Sequence, residues 1–574
     1  MSFAEQARAW MASDPDPDTR RELRALLDAG DEAALESRFS GSLEFGTAGL
    51  RGLLGAGPSR MNRVTVARAT AGLCAWLKAR VPDAERRGIC LGRDAREKSD
   101  EFEREVVEVA CAAGFRVLRF AEVTPTPVVA FSVLETRAAA GVVVTASHNP
   151  PGYNGYKVYW ENGAQIIPPN DEGIAAAIED AAHGDIPRLT MEEACSKGLV
   201  VEIDSLRDTY VARIARELED EERRAPIRIA YTALHGVAEA TIRDVFTSAG
   251  FHDVVSVESQ AAPDGRFPTV SFPNPEEPGA MERVLALAEK SGADLAIAND
   301  PDGDRVAVAA RRDDRFELLS GNEIGLLLAE DLLATSTPSD RPLVLSTVVS
   351  SPALGPIAVH HGARWERTLT GHKWIQNRDM ELRNEGYTYV FGYEEALGYA
   401  CSSSVRDKDG ISAALRLADI AARAKALGAT LLDRRELLWE RHGVFLDRQV
   451  SVRYDGEDAK TSMDAAVDQL RSDPPAHIGG QRVASVRDLQ RQTVRAGGVE
   501  TADTSLPPSN VLMYALENDS HVMVRPSGTE PKLKYYFYAA ASVGRRGLEA
   551  AKSEATSKLE RMVEDLTTVG ARHR

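Results

Sequence analysis

One alternation of apolar and polar segments occurs three times along this chain. A short apolar run leads into a polar loop, then into a helix-length segment that closes on glycine, and then into a second apolar run, at residues 88–117, 227–251 and 343–363. A glycine just past a helix fits a left-handed C-cap, and strand–helix–strand units with such short joints favour a parallel sheet. The pattern therefore predicts three successive α/β domains.

The last part of the chain has a different pattern. The apolar run 522–524 enters a polar loop, the aromatic run 533–538 leaves it, and an amphipathic helix follows over residues 548–566. This order is typical of a smaller α+β domain. We predict an α/β fold with four domains, at residues 1–205, 206–320, 321–445 and 446–574.

The net charge of the chain limits its binding partners, and its cysteines and N-terminal segment indicate its cellular compartment. The 574 residues include 69 basic and 87 acidic side chains, a net charge of -18, which argues against a nucleic-acid surface or an anionic membrane as partner. The five cysteines form no C-x-x-C pair, the first twenty residues lack the apolar core of a signal peptide, and no apolar stretch reaches spanning length. We expect a cytoplasmic protein.

The apolar run 138–144 ends in the polar loop Thr145-Ala146-Ser147-His148-Asn149-Pro150. This pattern predicts a buried strand that delivers a serine hydroxyl into an open loop, although a lone serine is more often an ordinary turn residue. Asn154-Gly155 follows and is a hairpin signal. A tight turn there would fold Lys157 back toward Ser147, where the lysine could act as an acid or base.

Asp300, Asp302 and Asp304 alternate after an apolar strand, so an extended segment would put all three carboxylates on one side. Three anionic oxygen ligands suit Mg²⁺. A calcium-binding EF-hand loop is excluded because Arg305 falls where glycine is required, and a solvated acidic turn is the remaining alternative. Because serine needs a base or a metal to become a nucleophile, the cluster and Ser147 together indicate phosphoryl transfer.

Three further loops carry groups suited to a phosphate or a sugar. The segment 525–532 offers guanidinium, hydroxyl, amide and ammonium donors to a phosphate dianion, and the chain contains no Walker motif that would indicate ATP chemistry. The Gly-bounded segments 370–374 and 392–399 carry a lysine and carboxylates that could bind sugar hydroxyls.

With T-A-S-H-N-P, D-P-D-G-D-R and R-P-S-G-T-E-P-K in this order, the chain resembles the α-D-phosphohexomutase superfamily, the phosphoglucomutase and phosphomannomutase enzymes, over essentially its whole length. The resemblance implies three similar α/β domains and a smaller C-terminal α+β domain. It also implies an enzyme that moves a phosphoryl group between C1 and the terminal carbon of a sugar phosphate through a bisphosphorylated intermediate.

The resemblance assigns roles to individual residues. It makes Ser147 the phosphoserine, Lys157 the acid/base, and Arg51 and His148 further catalytic residues. It gives Mg²⁺ four ligands, Ser147, Asp300, Asp302 and Asp304, and it implies a sugar 1,6-bisphosphate as activator. The substrate-binding residues that it implies are Arg305, His372, Lys373, Glu394, Arg525, Ser527, Gly528 and Thr529.

The sugar-binding loop departs from the family pattern. Where many relatives read G-E-x-S-G, this chain carries Ala396 in place of the hydroxyl, which can change the discrimination between sugars. The chain looks most like the long branch of phosphoglucomutases and phosphopentomutases, and we expect a phosphoglucomutase. Phosphopentomutase and phosphomannomutase are the alternatives, and a phosphosugar phosphatase or a non-catalytic phosphosugar-binding protein would be further ones. The partner would be a small phosphosugar bound by a monomer or dimer.

Overall fold

The computed structural model describes residues 1–44, 49–218, 221–335, 341–455, 458–527 and 531–571. The chain divides into two compact units. The first consists of residues 1–319, 371–377 and 396–428, and the second of residues 320–370, 378–395 and 429–574. No helix within the described ranges combines the length and the apolar content that crossing a membrane requires.

Residues 1–319 alternate between helices and strands. The helices are α1 (Phe3–Ser13), α2 (Pro17–Ala29), α3 (Glu32–Phe39), α4 (Arg63–Arg80), α5 (Ala84–Arg87), α6 (Ser99–Ala112), α7 (Thr126–Thr136), α8 (Asn170–Ala181), α9 (Met191–Ser196), α10 (Ser205–Ala215), α11 (Glu239–Ser248), α12 (Glu258–Ala261) and α13 (Glu282–Ser291). The strands are β1 (Leu50–Leu53), β2 (Ile89–Arg93), β3 (Val117–Arg119), β4 (Ala140–Val144), β5 (Tyr153–Trp160), β6 (Val200–Glu202), β7 (Ile229–Thr232), β8 (Val254–Ser256), β9 (Leu295–Asn299), β10 (Val306–Arg312) and β11 (Arg315–Leu318).

Residues 320–571 contain the remaining elements. The helices are α14 (Gly321–Thr335), α15 (Leu354–His360), α16 (His372–Asn384), α17 (Gly410–Ala426), α18 (Leu431–His442), α19 (Ala459–Ser472) and α20 (Leu548–Ala571). The strands are β12 (Pro342–Thr347), β13 (Arg364–Thr368), β14 (Thr388–Glu394), β15 (Gly398–Ala400), β16 (Val444–Arg453), β17 (His477–Ile478), β18 (Gln481–Asp488), β19 (Thr493–Ala496), β20 (Val499–Ala502), β21 (Leu512–Leu516), β22 (His521–Pro526) and β23 (Lys532–Ala541).

The first unit contains two mixed sheets. The six-stranded sheet has the order β1-β5-β4-β2-β3-β6, with β4, β2, β3 and β6 parallel and β5 and β1 antiparallel at one side. The five-stranded sheet has the order β11-β10-β9-β7-β8, with β9, β7 and β8 parallel. Gly114 and Gly250 end α6 and α11 with φ of 90° and 88°, the left-handed conformation that the sequence pattern requires.

Strand β4 is buried along its whole length, and its valines suit a strand packed on both faces. It belongs to the large core that α4, α6 and the six-stranded sheet enclose. The three N-terminal helices have a smaller core of their own around Trp10, Leu23 and Phe39. The core of the first sheet therefore fixes the point at which β4 ends and the Ser147 loop begins.

The second unit contains a parallel and an antiparallel sheet. Strands β13, β12 and β14 are parallel, with α15 between β12 and β13 as the third strand–helix–strand pattern predicts. The C-terminal sheet is antiparallel in the order β16-β23-β22-β21-β18-β19-β20, with β17 against β18, and α19 and α20 contribute to its core. The fold class predicted from the sequence is confirmed, whereas the boundaries near residues 205, 320 and 445 stay a prediction.

Candidate active site

Ser147 lies in the loop that follows β4, in a left-handed conformation with φ of 51°. Its amide donates to Oγ1 of Thr145 at 2.8 Å, and its hydroxyl donates to Oδ2 of Asp300 at 2.9 Å. Nδ1 of His148 lies 3.1 Å from the same hydroxyl oxygen. The residue is only 2% exposed, so the predicted open loop is wrong: packing against the Asp300 segment buries the serine.

The hairpin predicted at Asn154-Gly155 is also wrong, because both residues lie inside the continuous strand β5. The Asn154 side chain donates to two acceptors at and just before the start of α6 instead of closing a turn. A Cβ on Gly155 would lie 2.5 Å from the carbonyl oxygen of Thr145, so only glycine allows this close approach. Lys157 lies near the serine loop because β5 pairs it with Val143 of β4.

Asp300, Asp302 and Asp304 follow β9 in a tight turn. The Gly303 amide donates to the carbonyl oxygen of Asp300 at 2.9 Å, and Gly303 has φ of 74°. The predicted extended segment is therefore wrong, yet one carboxylate oxygen from each aspartate lies within 4.8 Å of the others. All three side chains are buried, with exposures of 0%, 0% and 1%.

This cluster fits a hard divalent cation. Within the described ranges, Oδ1 of Asp302 and Oδ1 of Asp304 are buried and have no hydrogen-bond partner. Burial and the charges of the other two aspartates raise the pKa of Asp300 well above its ordinary value. Buried anionic oxygens that lack donors are what Mg²⁺ prefers, and the Ser147 hydroxyl can add a fourth oxygen. The cluster could therefore hold a metal ion.

Two lysines contact the cluster. Lys157 Nζ lies 2.6 Å from Oδ2 of Asp302 and 2.8 Å from Oδ2 of Asp304, and Lys408 Nζ lies 3.2 Å from Oδ2 of Asp304. Burial would lower the pKa of Lys157, but the charges of Asp302 and Asp304 outweigh burial and raise it. Burial would likewise raise the pKa of Asp304, but Lys157 and Lys408 hold it below its ordinary value. Lys157 is therefore an ammonium, a proton donor.

Sequence reasoning missed Lys408, which lies in the segment Asp407-Lys408-Asp409 before α17. Asp409 caps that helix by accepting hydrogen bonds from the amides of Ile411 and Ser412. The sequence signal for Lys408 is a triplet of charged residues directly before an apolar helix. Such a triplet is equally typical of an ordinary, solvent-exposed helix N-cap. Only the packing of α17 against β9 and β10 brings Lys408 to the cluster.

Thr126 was missed as well. Its amide donates to the carbonyl oxygen of Asp302 at 2.9 Å, and its hydroxyl donates to Oδ2 of Asp302 at 2.6 Å. Arg305, which was predicted, donates its amide to Oδ1 of Asp300 and its guanidinium to the carbonyl oxygen of Ala396 at 2.9 Å. The turn of Asp300, Asp302 and Asp304 is thus held by α7 on one side and by the Ala396 segment on another.

Arg51 and His148 lie beside the serine. Arg51 on β1 donates to the side chain of Asn149 at 3.0 Å, and burial lowers its pKa to about 10 although Asp302 opposes the shift. The His148 ring stacks on Phe272 with 6.4 Å between the centroids. Burial, followed by the charge of Arg305, lowers the pKa of His148 well below its ordinary value, so the imidazole is neutral.

His372 and Lys373 begin α16 and belong to the first unit as well. Their side chains are largely buried, at 2% and 8% exposure. Lys373 Nζ lies 3.8 Å from a carboxylate oxygen of Asp171 on α8. Burial lowers the pKa of Lys373, while Asp171 opposes the shift.

The other predicted residues belong to the second unit. Glu394 ends β14, and the half-buried Glu395 follows it. Arg525 lies on β22 opposite Lys534 of β23, and the Ser527 amide donates to the carbonyl oxygen of Lys532 at 2.8 Å. Gly528 and Thr529 lie outside the described residues.

Comparison with known proteins gives consistent matches. The family models for phosphoglucomutase/phosphomannomutase α/β/α domains I, II and III match residues 42–184, 208–313 and 320–440. The probable phosphoribomutase of Schizosaccharomyces pombe is 36% identical over 556 residues, covering 92% of each chain. The phosphopentomutase of Homo sapiens is 33% identical over 581 residues, covering 96% of this chain and 93% of its own. The probable phosphomannomutase of Haemophilus influenzae is 38% identical over 484 residues, covering 83% of this chain and 93% of its own.

Fold, site and relatives define the class of protein as a phosphosugar mutase, an isomerase that acts by intramolecular phosphotransfer. The chain belongs to the α-D-phosphohexomutase superfamily, with its phosphoglucomutase and phosphomannomutase domains. The family that the sequence motifs predicted is thereby confirmed.

Proposed function

We propose that this mutase transfers phosphoryl groups through Ser147. The observation that carries the proposal is the buried contact between Oγ of Ser147 and Asp300, inside a cluster of three aspartates that also holds the ammonium of Lys157. An ordinary turn serine would require neither the buried carboxylates nor the buried lysine. Burying so many charges costs free energy, and such clusters of perturbed ionisable groups are typical of functional sites.

The proposed cycle starts from phosphorylated Ser147. A hydroxyl oxygen of the sugar monophosphate attacks the phosphorus, the bond between phosphorus and Oγ of Ser147 breaks, and a sugar bisphosphate forms. Oγ of Ser147 then attacks the other phosphate of this bisphosphate, which leaves the isomeric monophosphate and restores the phosphoserine. The attacking hydroxyl loses its proton and the leaving oxygen gains one, so each half-reaction balances.

Proton transfer falls to groups near the hydroxyl of Ser147. Lys157 is held as an ammonium, which makes it the proposed acid. The neutral imidazole of His148 lies within hydrogen-bond reach of Oγ of Ser147 and can accept a proton there. When bound by Ser147, Asp300, Asp302 and Asp304, Mg²⁺ would neutralise charge on the transferring phosphoryl group.

Substrate recognition completes the proposal. We assign Arg51, Arg305, His372 and Lys373 to the charged groups of the substrate and Glu394 to the sugar hydroxyls. The phosphate that does not react would bind Arg525, Ser527, Gly528 and Thr529. A sugar 1,6-bisphosphate would phosphorylate Ser147 before the first turnover.

The proposed substrate is a pentose phosphate, ribose or deoxyribose 1-phosphate converted to the 5-phosphate. Two relatives that cover more than nine tenths of this chain are named phosphoribomutase and phosphopentomutase, which supports this choice. Ala396 also removes a hydroxyl from the sugar loop. Glucose phosphate, which the sequence favoured, is the second candidate, and mannose phosphate is the third because of the phosphomannomutase relative.

The test compares turnover of ribose 1-phosphate, glucose 1-phosphate and mannose 1-phosphate by Mg²⁺-loaded enzyme primed with glucose 1,6-bisphosphate. We expect the highest kcat/KM for ribose 1-phosphate among the three sugar phosphates. We also expect a peptide with phosphorylated Ser147 in the mass spectrum of the enzyme. Release of free phosphate without isomer would indicate a phosphatase instead. Tight binding without turnover would indicate a binding protein, and a preference for glucose would restore the phosphoglucomutase assignment.

A further inference from the structure

Arg96 binds the segment that carries the nucleophile. Its side chain is buried, with 4% exposure, and its guanidinium donates to four backbone carbonyl oxygens of residues 145–153, here called the Ser147 loop. The distances are 2.7 Å to Ser147, 2.5 Å to Asn149, 3.0 Å to Pro150 and 3.1 Å to Tyr153. A planar, always charged fork of donors is suited to gather several carbonyls at once.

The position of Arg96 is itself fixed. Its Nε lies 3.3 Å from Oδ2 of Asp94, and its amide donates to Oδ1 of the same residue at 3.0 Å. Asp94 also accepts the hydroxyl of Ser99 at 2.8 Å. Burial lowers the pKa of Arg96, and the charge of Asp94 opposes this shift. The guanidinium therefore has a counter-ion of its own, and its remaining donors are directed at the Ser147 loop.

These bonds determine where the hydroxyl of Ser147 points. Ser147 is left-handed, a conformation that non-glycine residues adopt only when their surroundings hold them there. The amide of Ser147 donates to the Thr145 hydroxyl, and the carbonyl oxygen of Ser147 accepts from Arg96. The peptide groups on both sides of Ser147 are therefore fixed. With the backbone fixed, Oγ is held 2.9 Å from Asp300.

Residues 265–267, which lie between β8 and β9 of the five-stranded sheet, pack on Arg96 as well. The guanidinium of Arg96 lies over the ring of Phe267, 4.8 Å from its centroid. A Cβ on Gly265 would lie 2.5 Å from Cα of Arg96, so this segment is in direct backbone contact with the arginine. Arg96 is therefore enclosed between the Ser147 loop and residues 265–267.

We propose that Arg96 is a positioning residue for phosphoryl transfer: it holds Ser147 in the left-handed conformation that aims Oγ at the metal cluster. The inference rests on the proposed role of Ser147. Lysine cannot replace arginine here, because a single ammonium cannot reach four carbonyl oxygens in a fixed plane. A purely structural ion pair would instead contribute to stability without changing the rate of the chemical step.

The test measures kcat, KM, melting temperature and the single-turnover rate of Ser147 phosphorylation by sugar bisphosphate for wild type and Arg96→Lys. Misplacing a reacting group by about 1 Å can reduce the rate about 100-fold, and we expect a fall of this order in kcat and in the phosphorylation rate. KM should stay within about twofold, because the proposed substrate-binding groups are unchanged. The matched control is Arg93→Lys on β2, whose side chain binds Glu103 instead of the loop; it should retain wild-type rates.

A folded Arg96→Lys enzyme with wild-type kcat, or with raised KM alone, would overturn the proposal. If this variant does not fold, Phe267→Leu decides, because it removes only the ring beneath the guanidinium. We expect a smaller fall in kcat with unchanged KM, and an unchanged kcat would overturn the proposal. A wild-type enzyme that isomerises none of the three sugar phosphates would overturn the proposed function itself.

Discussion

The hydroxyl of Ser147 donates a hydrogen bond to Asp300 at 2.9 Å, although 153 positions separate the two residues in the chain. The contact joins the loop after β4 to the turn after β9, and both strands have parallel neighbours in their sheets. Functional residues gather at the carboxyl ends of such strands. The proposed nucleophile and the acidic cluster are thus in direct contact.

Ser147→Ala should lower the mutase rate at least about 1,000-fold, because it deletes the hydroxyl that accepts the phosphoryl group. The fold should survive, because the backbone bonds of residue 147 do not involve its hydroxyl. Mutase rates and circular dichroism check both parts. The control is Ser132→Ala, another buried serine, whose hydroxyl donates to the carbonyl oxygen of Val128 in its own helix. Normal turnover by the Ser147 variant would refute the role of this serine.

Removal of divalent metal should abolish turnover, and Mg²⁺ should restore it. Binding should also stabilise the protein, because a cation offsets the repulsion among three buried carboxylates. At 100 times Kd, a ligand that binds only the folded state adds about 2.7 kcal/mol. Thermal unfolding with EDTA or Mg²⁺ measures this gain, which should be absent in Asp302→Asn. Full activity in EDTA would contradict the assignment.

Lys157→Met should lower the free energy of unfolding by about 3–5 kcal/mol, because it leaves the buried carboxylate of Asp302 without its lysine and leaves Asp304 with Lys408 alone. Activity should fall as well. The control is Lys98→Met: Lys98 also binds carboxylates, but its side chain is 28% exposed, so the expected loss is under about 1 kcal/mol. Urea unfolding of both variants measures the difference, and equal losses would contradict the argument.

Glu395 should make stability depend on pH. Its Oε2 lies 3.1 Å from the hydroxyls of Thr347 and Ser350, which lie 2.7 Å from each other. Two hydroxyl hydrogens cannot serve three such contacts, whereas a proton on Glu395 supplies the third. Burial, with the charge of Glu394, raises the pKa of Glu395 to about 7 from 4.5.

The sign of the effect follows from the raised pKa. The contribution of Glu395 to stability is full below about pH 4.5 and is lost as pH rises through about 7. Glu395→Gln stays neutral, so its stability relative to wild type should rise by about 3 kcal/mol over that window. Urea unfolding at several pH values measures this rise. The exposed Glu549→Gln serves as the control, and a pH-independent difference for Glu395→Gln would refute the prediction.

Gly155→Ala should destabilise the protein by about 1–3 kcal/mol, because the new Cβ would lie 2.5 Å and 2.7 Å from the carbonyl oxygens of Thr145 and Leu50. Both are backbone atoms, so the strain should reach the Ser147 loop and lower kcat. Gly184→Ala has nothing within 4 Å and should change neither quantity. Melting temperatures and steady-state rates test the pair; similar behaviour of the two variants would count against the prediction.

The sequence predicted the α/β elements because their signals are local. The buried valines of β4 and the left-handed Gly114 and Gly250 each act within one strand or one helix end. The site loops around Ser147 and Asp300 were predicted separately, and the structure brings these two together. Roles such as that of Lys157 remain predictions for the experiments above.

What the sequence could not predict depends on distant contacts. Asn154 is a turn residue by type, but its side chain bonds to Glu97 and Ser99, which keeps it within a strand. Lys408 carries no local signal that separates it from a surface lysine, and only the packing of α17 brings it to Asp304. Arg96 has no local signal at all, because its four acceptors lie more than fifty positions away.

The two hydrogen bonds from Thr126 to Asp302 have a consequence for protein engineering. One bond uses the amide at the start of α7, and the other uses the hydroxyl. A chimera that received only residues 300–305 of this chain would leave the Asp302 carboxylate without the hydroxyl donor of Thr126. Grafts at this site should therefore exchange the first turn of α7 together with residues 300–305, as a single module.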